Sequence, residues 1–234
     1  MNDTAEHRIE TISAGGANVY LIANGSQSIL IDAGNKGAPK NILKKLRESG
    51  LEPHDVKLIV LTHTHSDHCG GLKELQDVTQ ANILVHESEA ESLTQGYGDF
   101  PRGTSLLGKL VSYIGKNLAR GLGRFEAVTP DITISERFDL QPHGIDGHIL
   151  PTPGHSPGSL CVIVGGKDAI VGDTLFGISR RTAFPPFADD VDELLRSWER
   201  LIETGCQRFL PGHGSVISIQ MLRESYEKAQ TRPS

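Results

Sequence analysis

Between Thr62 and Gly71 the chain reads Thr-His-Thr-His-Ser-Asp-His-Cys-Gly-Gly, which places four side chains of metal-ligand type, His63, His65, Asp67 and His68, within six residues. Imidazole nitrogen and carboxylate oxygen are usual protein ligands of zinc and similar divalent ions, and three imidazoles with one carboxylate in so short a span serve two ions better than one. The competing reading is ordinary polar residues in a surface loop. It fits a single histidine far better than four ligand types in succession. Cys69 follows directly, but no Cys-His pair separate from the motif marks it as a nucleophile, and it reads as a packing residue.

The motif needs an element to hold it. Lys57–Leu61 is short, apolar and rich in branched side chains, a pattern of a buried strand, so the ligands sit on the loop at its carboxyl end. Were that strand to continue, His63 and His65 would point the same way, with Asp67 and His68 turning back toward a second position. Upstream, Asn18–Ala23 and Ser28–Asp32 read as two strands joined across Asn24-Gly25-Ser26, a strong hairpin signal. Asp32, at the end of the second, either caps the following turn or hydrogen-bonds a ligating histidine from behind. Residues 39–49 carry Ile42, Leu43 and Leu46 at helical spacing and stop at Gly50, so this part of the chain runs β-β-α-β. Past the motif, Gly70-Gly71 turns into a helix at Leu72–Leu75, and Ala81–His86 reads as another strand. His54 and His86 lack partner spacing and read as surface or core histidines.

Three further ligand-type residues occur where the chain leaves a strand. His155 is fixed between Pro153-Gly154 and Ser156-Pro157-Gly158, Asp173 ends the apolar run Ala169–Gly172, and His213 lies in Pro211-Gly212-His213-Gly214. Each alone is a weak signal. Together they allow seven ligands to converge at one edge of a layered sheet.

Composition bounds the rest. The 234 residues make one domain of ordinary apolar content, 37%, and a net charge of −6 with 23 basic residues argues against a dedicated nucleic-acid binder. Cys69, Cys161 and Cys206 form no Cys-x-x-Cys pair, so neither a disulfide framework nor a cysteine zinc site is indicated. The amino terminus lacks an apolar signal core and no run approaches the ~20 residues that span a bilayer, so a cytoplasmic protein without stable membrane insertion is expected. A homodimer is an assembly the sequence leaves open.

Residues 89–131 are the least regular stretch. Arg102, Lys109, Lys116, Arg120 and Arg124 stand there beside Leu106, Leu107, Leu110, Val111, Ile114 and Leu118, which recur at helical spacing. The stretch reads as a helical insertion packed on the body, as a lid giving a greasy wall and a few cations to the substrate, or as a membrane-surface helix, the last weakened by Gly108, Gly115 and Gly121. Arg180 and Arg181, shortly after Asp173, could bind a substrate carboxylate or phosphate or make surface ion pairs. Residues 189–204 form an amphipathic helix with Leu194, Leu195, Trp198, Leu201 and Ile202 on its core face.

Asp32, His63-x-His65-x-Asp67-His68, His155, Asp173 and His213, in that order, resemble the five signature elements of the metallo-β-lactamase superfamily, over about residues 8–218. The resemblance implies an α/β fold, an αβ/βα four-layer sandwich with a binuclear metal centre at the sheet edges. It implies His63, His65 and His155 on one ion, Asp67, His68 and His213 on the other, and Asp173 bridging them. Two dications balanced by two carboxylates and a bridging hydroxide leave one net positive charge, which attracts a small anionic substrate and stabilises an oxyanion. Ions about 3.5–4 Å apart bring bridging water near neutral pKa, so hydroxide is available to attack an acyl carbonyl, with Asp67 placed to handle a proton. Zinc is the expected metal, with iron or manganese as alternatives.

A bridging aspartate is typical of the glyoxalase II-like, lactonase-like and nuclease-like branches. The chain looks most similar to compact glyoxalase II-like, thioesterase-like hydrolases acting on a carboxylic ester or thioester. About twenty residues follow His213, too few for the carboxy-terminal helical domain that larger hydroxyacylglutathione hydrolases use on glutathione thioesters. A persulfide dioxygenase-like enzyme holding one iron through His63, His155 and Asp173, a lactonase or phosphodiesterase, and a non-catalytic binding protein are the alternatives.

Overall fold

The computed structural model describes residues 7–25, 27–105, 108–110, 112–114 and 120–231, apart from the side chains of Arg120 and Leu122. Strands β1 (Arg8–Ser13), β2 (Asn18–Asn24), β3 (Gln27–Ile31), β4 (Val56–Val60), β5 (Asn82–His86) and β6 (Ile132–Ile134) form one sheet in that order. A second sheet runs β7 (Phe138–Asp139), β8 (Gly147–Pro151), β9 (Leu160–Val164), β10 (Asp168–Gly172), β11 (Arg208–Pro211) and β12 (Ile217–Ser218), again in chain order. From β3 to β6 the pairing is parallel, and in the second sheet only β10 and β11 pair in parallel. Parallel neighbours need crossovers, which helices α1 (Pro39–Glu48), α2 (Ser66–Cys69), α3 (Leu72–Thr79), α4 (Glu87–Gln95) and α5 (Val191–Glu203) supply, while α6 (Ile219–Gln230) follows the last strand.

The apolar runs are continuous because both faces of the central strands are covered. In β3, Ile29 and Ile31 face the other sheet while Leu30 faces the helices; in β4, Leu58 and Val60 face inward and Ile59 outward. The second sheet mirrors this, with Val162 and Val164 of β9 facing inward and Cys161 and Ile163 packed under Trp198 and Leu201 of α5. Period-two alternation between two buried faces therefore builds three apolar seams between four layers, helices, sheet, sheet and helices. Each buried Leu, Ile or Val contributes about 1.5–3 kcal/mol, so a one-residue slip of register would exchange whole seams. This is the expected αβ/βα sandwich, and among the described residues no helix is long and apolar enough to cross a membrane.

Several expectations need correction. The opening order is β-β-β-α-β, because β1 precedes the hairpin; as an edge strand with one fully buried residue, Ile12, it has little apolar signal. The hairpin pairs Asn24 with Gln27 across Gly25 and Ser26, of which Ser26 lies outside the described residues. The irregular stretch begins after Gln95, not at Glu89, since α4 is a regular crossover helix with Leu93 in the core. Of the helical apolar positions proposed there, Leu110 is 55% and Ile114 is 44% exposed, so those two do not pack on the body. Leu106, Leu107, Val111, Lys116 and Leu118 lie outside the described residues.

Candidate metal centre and its cavity

β4 ends at Val60, so His63 and His65 stand on the loop and not on a continuing strand. Leu61 N–H still donates to Leu84 O at 2.9 Å, and Thr62 O accepts from Leu160 N of the second sheet at 2.8 Å, which stitches the two sheets together at the motif. The turn back is the single helical turn α2, which follows His65 and carries Asp67 and His68. His155 sits in the β8–β9 loop, Asp173 directly after β10 and His213 two residues after β11, so both sheets deliver side chains of ligand type to one edge.

His63, His68, His155 and His213 are each aimed by their other nitrogen. Asp32 accepts from His68 Nδ1 at 2.8 Å, from Thr62 N at 2.7 Å and from Thr62 Oγ1 at 2.9 Å. It has φ 67°, a left-handed backbone. Of the two roles read from sequence, the Asp32 side chain takes the second, holding a histidine from behind, and its bonds go to Thr62 and His68 and not to the turn that follows it. His155 Nδ1 donates to Phe187 O and His213 Nδ1 to Gly16 O, both at 3.0 Å, leaving each Nε2 for the site. Thr62 Oγ1 gives its proton to Asp32 and so accepts from His63 Nδ1 at 3.0 Å, leaving His63 Nε2 free of that bond. His65 presents Nδ1, 3.1 Å from His155 Nε2.

The donor atoms of His63, His65 and His155 all lie within 4.8 Å of one another, as do those of Asp67, His68 and His213 and those of His63, His68 and Asp173. Asp173 reaches both sides, with Oδ2 3.7 Å from His155 Nε2 and 3.4 Å from His213 Nε2. His63 Nε2, His68 Nε2 and Asp173 Oδ1 are buried without a hydrogen-bond partner, although the last two stand 3.4 Å apart. Unsatisfied buried nitrogen and oxygen donors converging on one spot fit a divalent cation.

The two sides differ electrically. Burial, reinforced by the charge of His68 and the other imidazoles, holds His63 well below the usual imidazole range, and burial with His155 pushes His65 down to about 3. These rings offer lone pairs at neutral pH. For His68 and His213 burial works in the same direction, but Asp173 and Asp32 outweigh it at His68, and Asp173 with Asp67 raise His213 to about 10. Burial opposes ionisation of Asp67, yet the bond from His213 and the charge of His68 bring it down to about 2. This side draws positive charge, whether protons or an ion. Cys69 is buried and its thiol lifted well above its ordinary value by burial and by Asp32, which makes it packing rather than a nucleophile.

A cavity of about 450 Å³ opens over the cluster, its floor formed by His65, Asp67, His155, Asp173 and His213. The walls are Phe100, Pro101, Phe176, Ile178, Pro186 and Phe187. Phe100 and Phe187 meet edge to face with centroids 5.9 Å apart, and Phe176 stacks on His213 at 5.0 Å. One wall comes from the irregular stretch and the other from the segment after Asp173, joined by Thr104 N to Pro186 O at 2.9 Å and Ala188 N to Arg102 O at 2.8 Å. Arg180 and Arg181 are exposed and do not line this cavity, and no lysine or arginine does among the described residues. His54 is exposed, and His86 caps α4 by accepting from Ser88 N at 3.1 Å. The aromatic walls were not singled out in the sequence, where Phe100, Phe176 and Phe187 stand alone among loops.

A family model described as the Metallo-beta-lactamase superfamily matches residues 12–213. The chain belongs to that superfamily. Among relatives within it, "Probable metallo-hydrolase YqgX" of Bacillus subtilis is 30% identical over 205 residues, 86% of this chain and 83% of that protein. The "Atrochrysone carboxyl ACP thioesterase" of Aspergillus fumigatus is 25% identical over 225 residues, 93% of this chain and 57% of that one. The chain spans 47–60% of the length of the longer curated relatives it matches. Of the solved structures, an archaeal superfamily member from Sulfolobus tokodaii superposes with a TM-score of 0.70 at 25% identity, covering 96% of this chain and 87% of the other.

Proposed function

We propose that this protein is a binuclear metal-dependent hydrolase that cleaves an ester or thioester of a small substrate carrying an apolar acyl group. The observation that carries the reading is the set of unpartnered buried donors, His63 Nε2, His68 Nε2 and Asp173 Oδ1, the last of which lines an apolar cavity together with His65, Asp67, His155 and His213. His63, His65 and His155 would hold one ion, Asp67, His68 and His213 the other, with Asp173 between them; zinc suits this nitrogen and oxygen donor set. Bound there, the ions would supply acidified water and polarise the scissile carbonyl.

The chain's own residues do the rest. Phe100, Pro101, Phe176 and Phe187 would grip the acyl group and strip water from it. Asp67, whose side chain is 40% exposed and lies 3.2 Å from His213 Nε2, would take up a proton on its carboxylate as the bond breaks. The anionic substrate expected from the charge of a binuclear centre finds no cation in this lining among the described residues, and Asp99 stands in it, so selection here would rest on apolar fit. The thioesterase among the relatives favours a thioester within the acyl class.

The test is elemental analysis of the purified protein joined to a panel of esters and thioesters of increasing acyl length. About two zinc ions per chain and turnover that improves with acyl length are expected. Losing an outer hydrogen-bond partner in such sites costs about 10–100-fold, so Asp173→Ala should cost at least about 100-fold along with metal. Full turnover by Asp173→Ala, or a single iron with oxygen uptake on a persulfide, would overturn the reading.

A further inference from the structure

Glu89 is a buried acid, 6% exposed, that the proposed chemistry does not use. It is the third residue of α4, where a glutamate commonly folds back onto the cap of its own helix. Here it turns outward. Its Oε2 accepts from Thr64 N at 3.2 Å and, in a short bond, from the Thr64 hydroxyl, while Oε1 accepts from Gly158 N at 3.1 Å.

Those partners are telling by position. Thr64 lies between His63 and His65, and Gly158 closes the turn that begins at His155, so one carboxyl group joins the loops bearing His63, His65 and His155. The loops come from different sheets, and α4 reaches them from outside both. Gly158 is fitted to the approach, because a Cβ there would stand 2.4 Å from Glu89 Cγ and 3.0 Å from His86 Cβ. On the other side, Asp32 binds Thr62 and His68 in the same fashion. Asp32 thus holds His68 directly and reaches His63 through Thr62, whereas Glu89 bonds only the loops of His63, His65 and His155, and the two acids share no partner.

We infer that Glu89 is a positioning residue that sets the divalent-ion affinity of the His63, His65 and His155 group without touching the ion. The inference rests on reading that trio as a metal site. Backbone N–H groups can only donate, and one faces each Glu89 oxygen, so neither oxygen can become an amide NH₂ without opposing two donors. Glutamine keeps the size of glutamate and differs in that donor and in the loss of the negative charge, whereas Thr64→Val keeps the charge. The effect should fall on one ion, since the Asp67, His68 and His213 group makes no bond to Thr64 or Gly158.

The experiment titrates the full-length metal-stripped protein with Zn²⁺ against a competing chelator, and with Co²⁺ to follow the visible spectrum of each ion. Wild type should take two ions. Glu89→Gln should weaken one by about 10–100-fold and shift its cobalt bands, leaving the other within about threefold. Placed on His213→Ala, where the trio holds the remaining ion, Glu89→Gln should weaken that ion; placed on His155→Ala it should not. Thr64→Val, which removes only the hydroxyl bond, should produce a smaller loss at the same ion and serves if Glu89→Gln does not fold. Equal weakening in both backgrounds, or unchanged affinity in both Glu89→Gln and Thr64→Val, would overturn the inference. A wild type that binds no ion would instead remove the metal-site reading beneath it.

Discussion

Gly212 has no room for a side chain. A Cβ on it would stand 2.4 Å from Asp173 Oδ1 and 2.6 Å from His68 Cε1. Its backbone cannot retreat, because its N–H donates to Gly172 O and its carbonyl accepts from Asn18 N, both at 2.7 Å. The glycine is thus required by the neighbours it touches, and alanine would push on two proposed ligands at once. Gly212→Ala should fold, since its φ is outside the left-handed region, yet bind metal about 10–100-fold more weakly, as when a ligand's support is lost. Chelator competition beside a thermal melt measures both, and wild-type affinity in a folded Gly212→Ala would show that Asp173 and His68 do not need their observed positions.

At the scale of elements, the β8–β9 turn and α5 depend on each other. Gly154 has φ +131°, and a Cβ there would meet the backbone N and Cα of Leu194 at 2.3 and 2.4 Å. Asp190 N donates to Gly154 O at 2.9 Å, and the Asp190 side chain then caps α5 by accepting from Glu193 N, so the turn that presents His155 is docked on the start of that helix. Gly154→Ala should cost about 2–4 kcal/mol through strain and overpacking. For a chain of this size that is a fall in Tm of about 5–15 °C, with metal loss from the His155 side. An unshifted Tm would mean the turn is not held against α5. The same contrast explains how much could be read beforehand. Ligand chemistry restricts residue type, so His63, His65, Asp67, His68, His155, Asp173 and His213 stood out, as did strands with apolar residues on both faces. The edge strand β1, the two-residue strands β7 and β12 and the outer helix α6 bury few side chains and leave little periodic trace. Glu89 and the phenylalanine walls escaped because their meaning lies in contacts made across long loops, which no local spacing records.

Across the whole molecule, the seven proposed ligands divide between the sheets. His63, His65, Asp67 and His68 follow β4, whereas His155, Asp173 and His213 hang from the second sheet. Other links at this edge are polar, among them Leu160 N to Thr62 O at 2.8 Å, Asn18 N to Gly212 O at 2.7 Å and Tyr20 Oη to Pro211 O at 2.7 Å. Ions bound between the sheets would therefore clamp the two halves of the sandwich, and their removal should be felt by the entire fold. A ligand held at about 1,000 times its Kd stabilises the folded state by about 4 kcal/mol. At about 2–4 °C per kcal/mol for a chain of this length, chelation should lower Tm by about 8–16 °C and leave one cooperative transition. Scanning calorimetry with and without chelator reads both quantities. Two separate transitions after chelation would mean that each half folds alone and the metal merely joins them, while an unchanged Tm would mean the ions bind too weakly, or too locally, to couple the sheets.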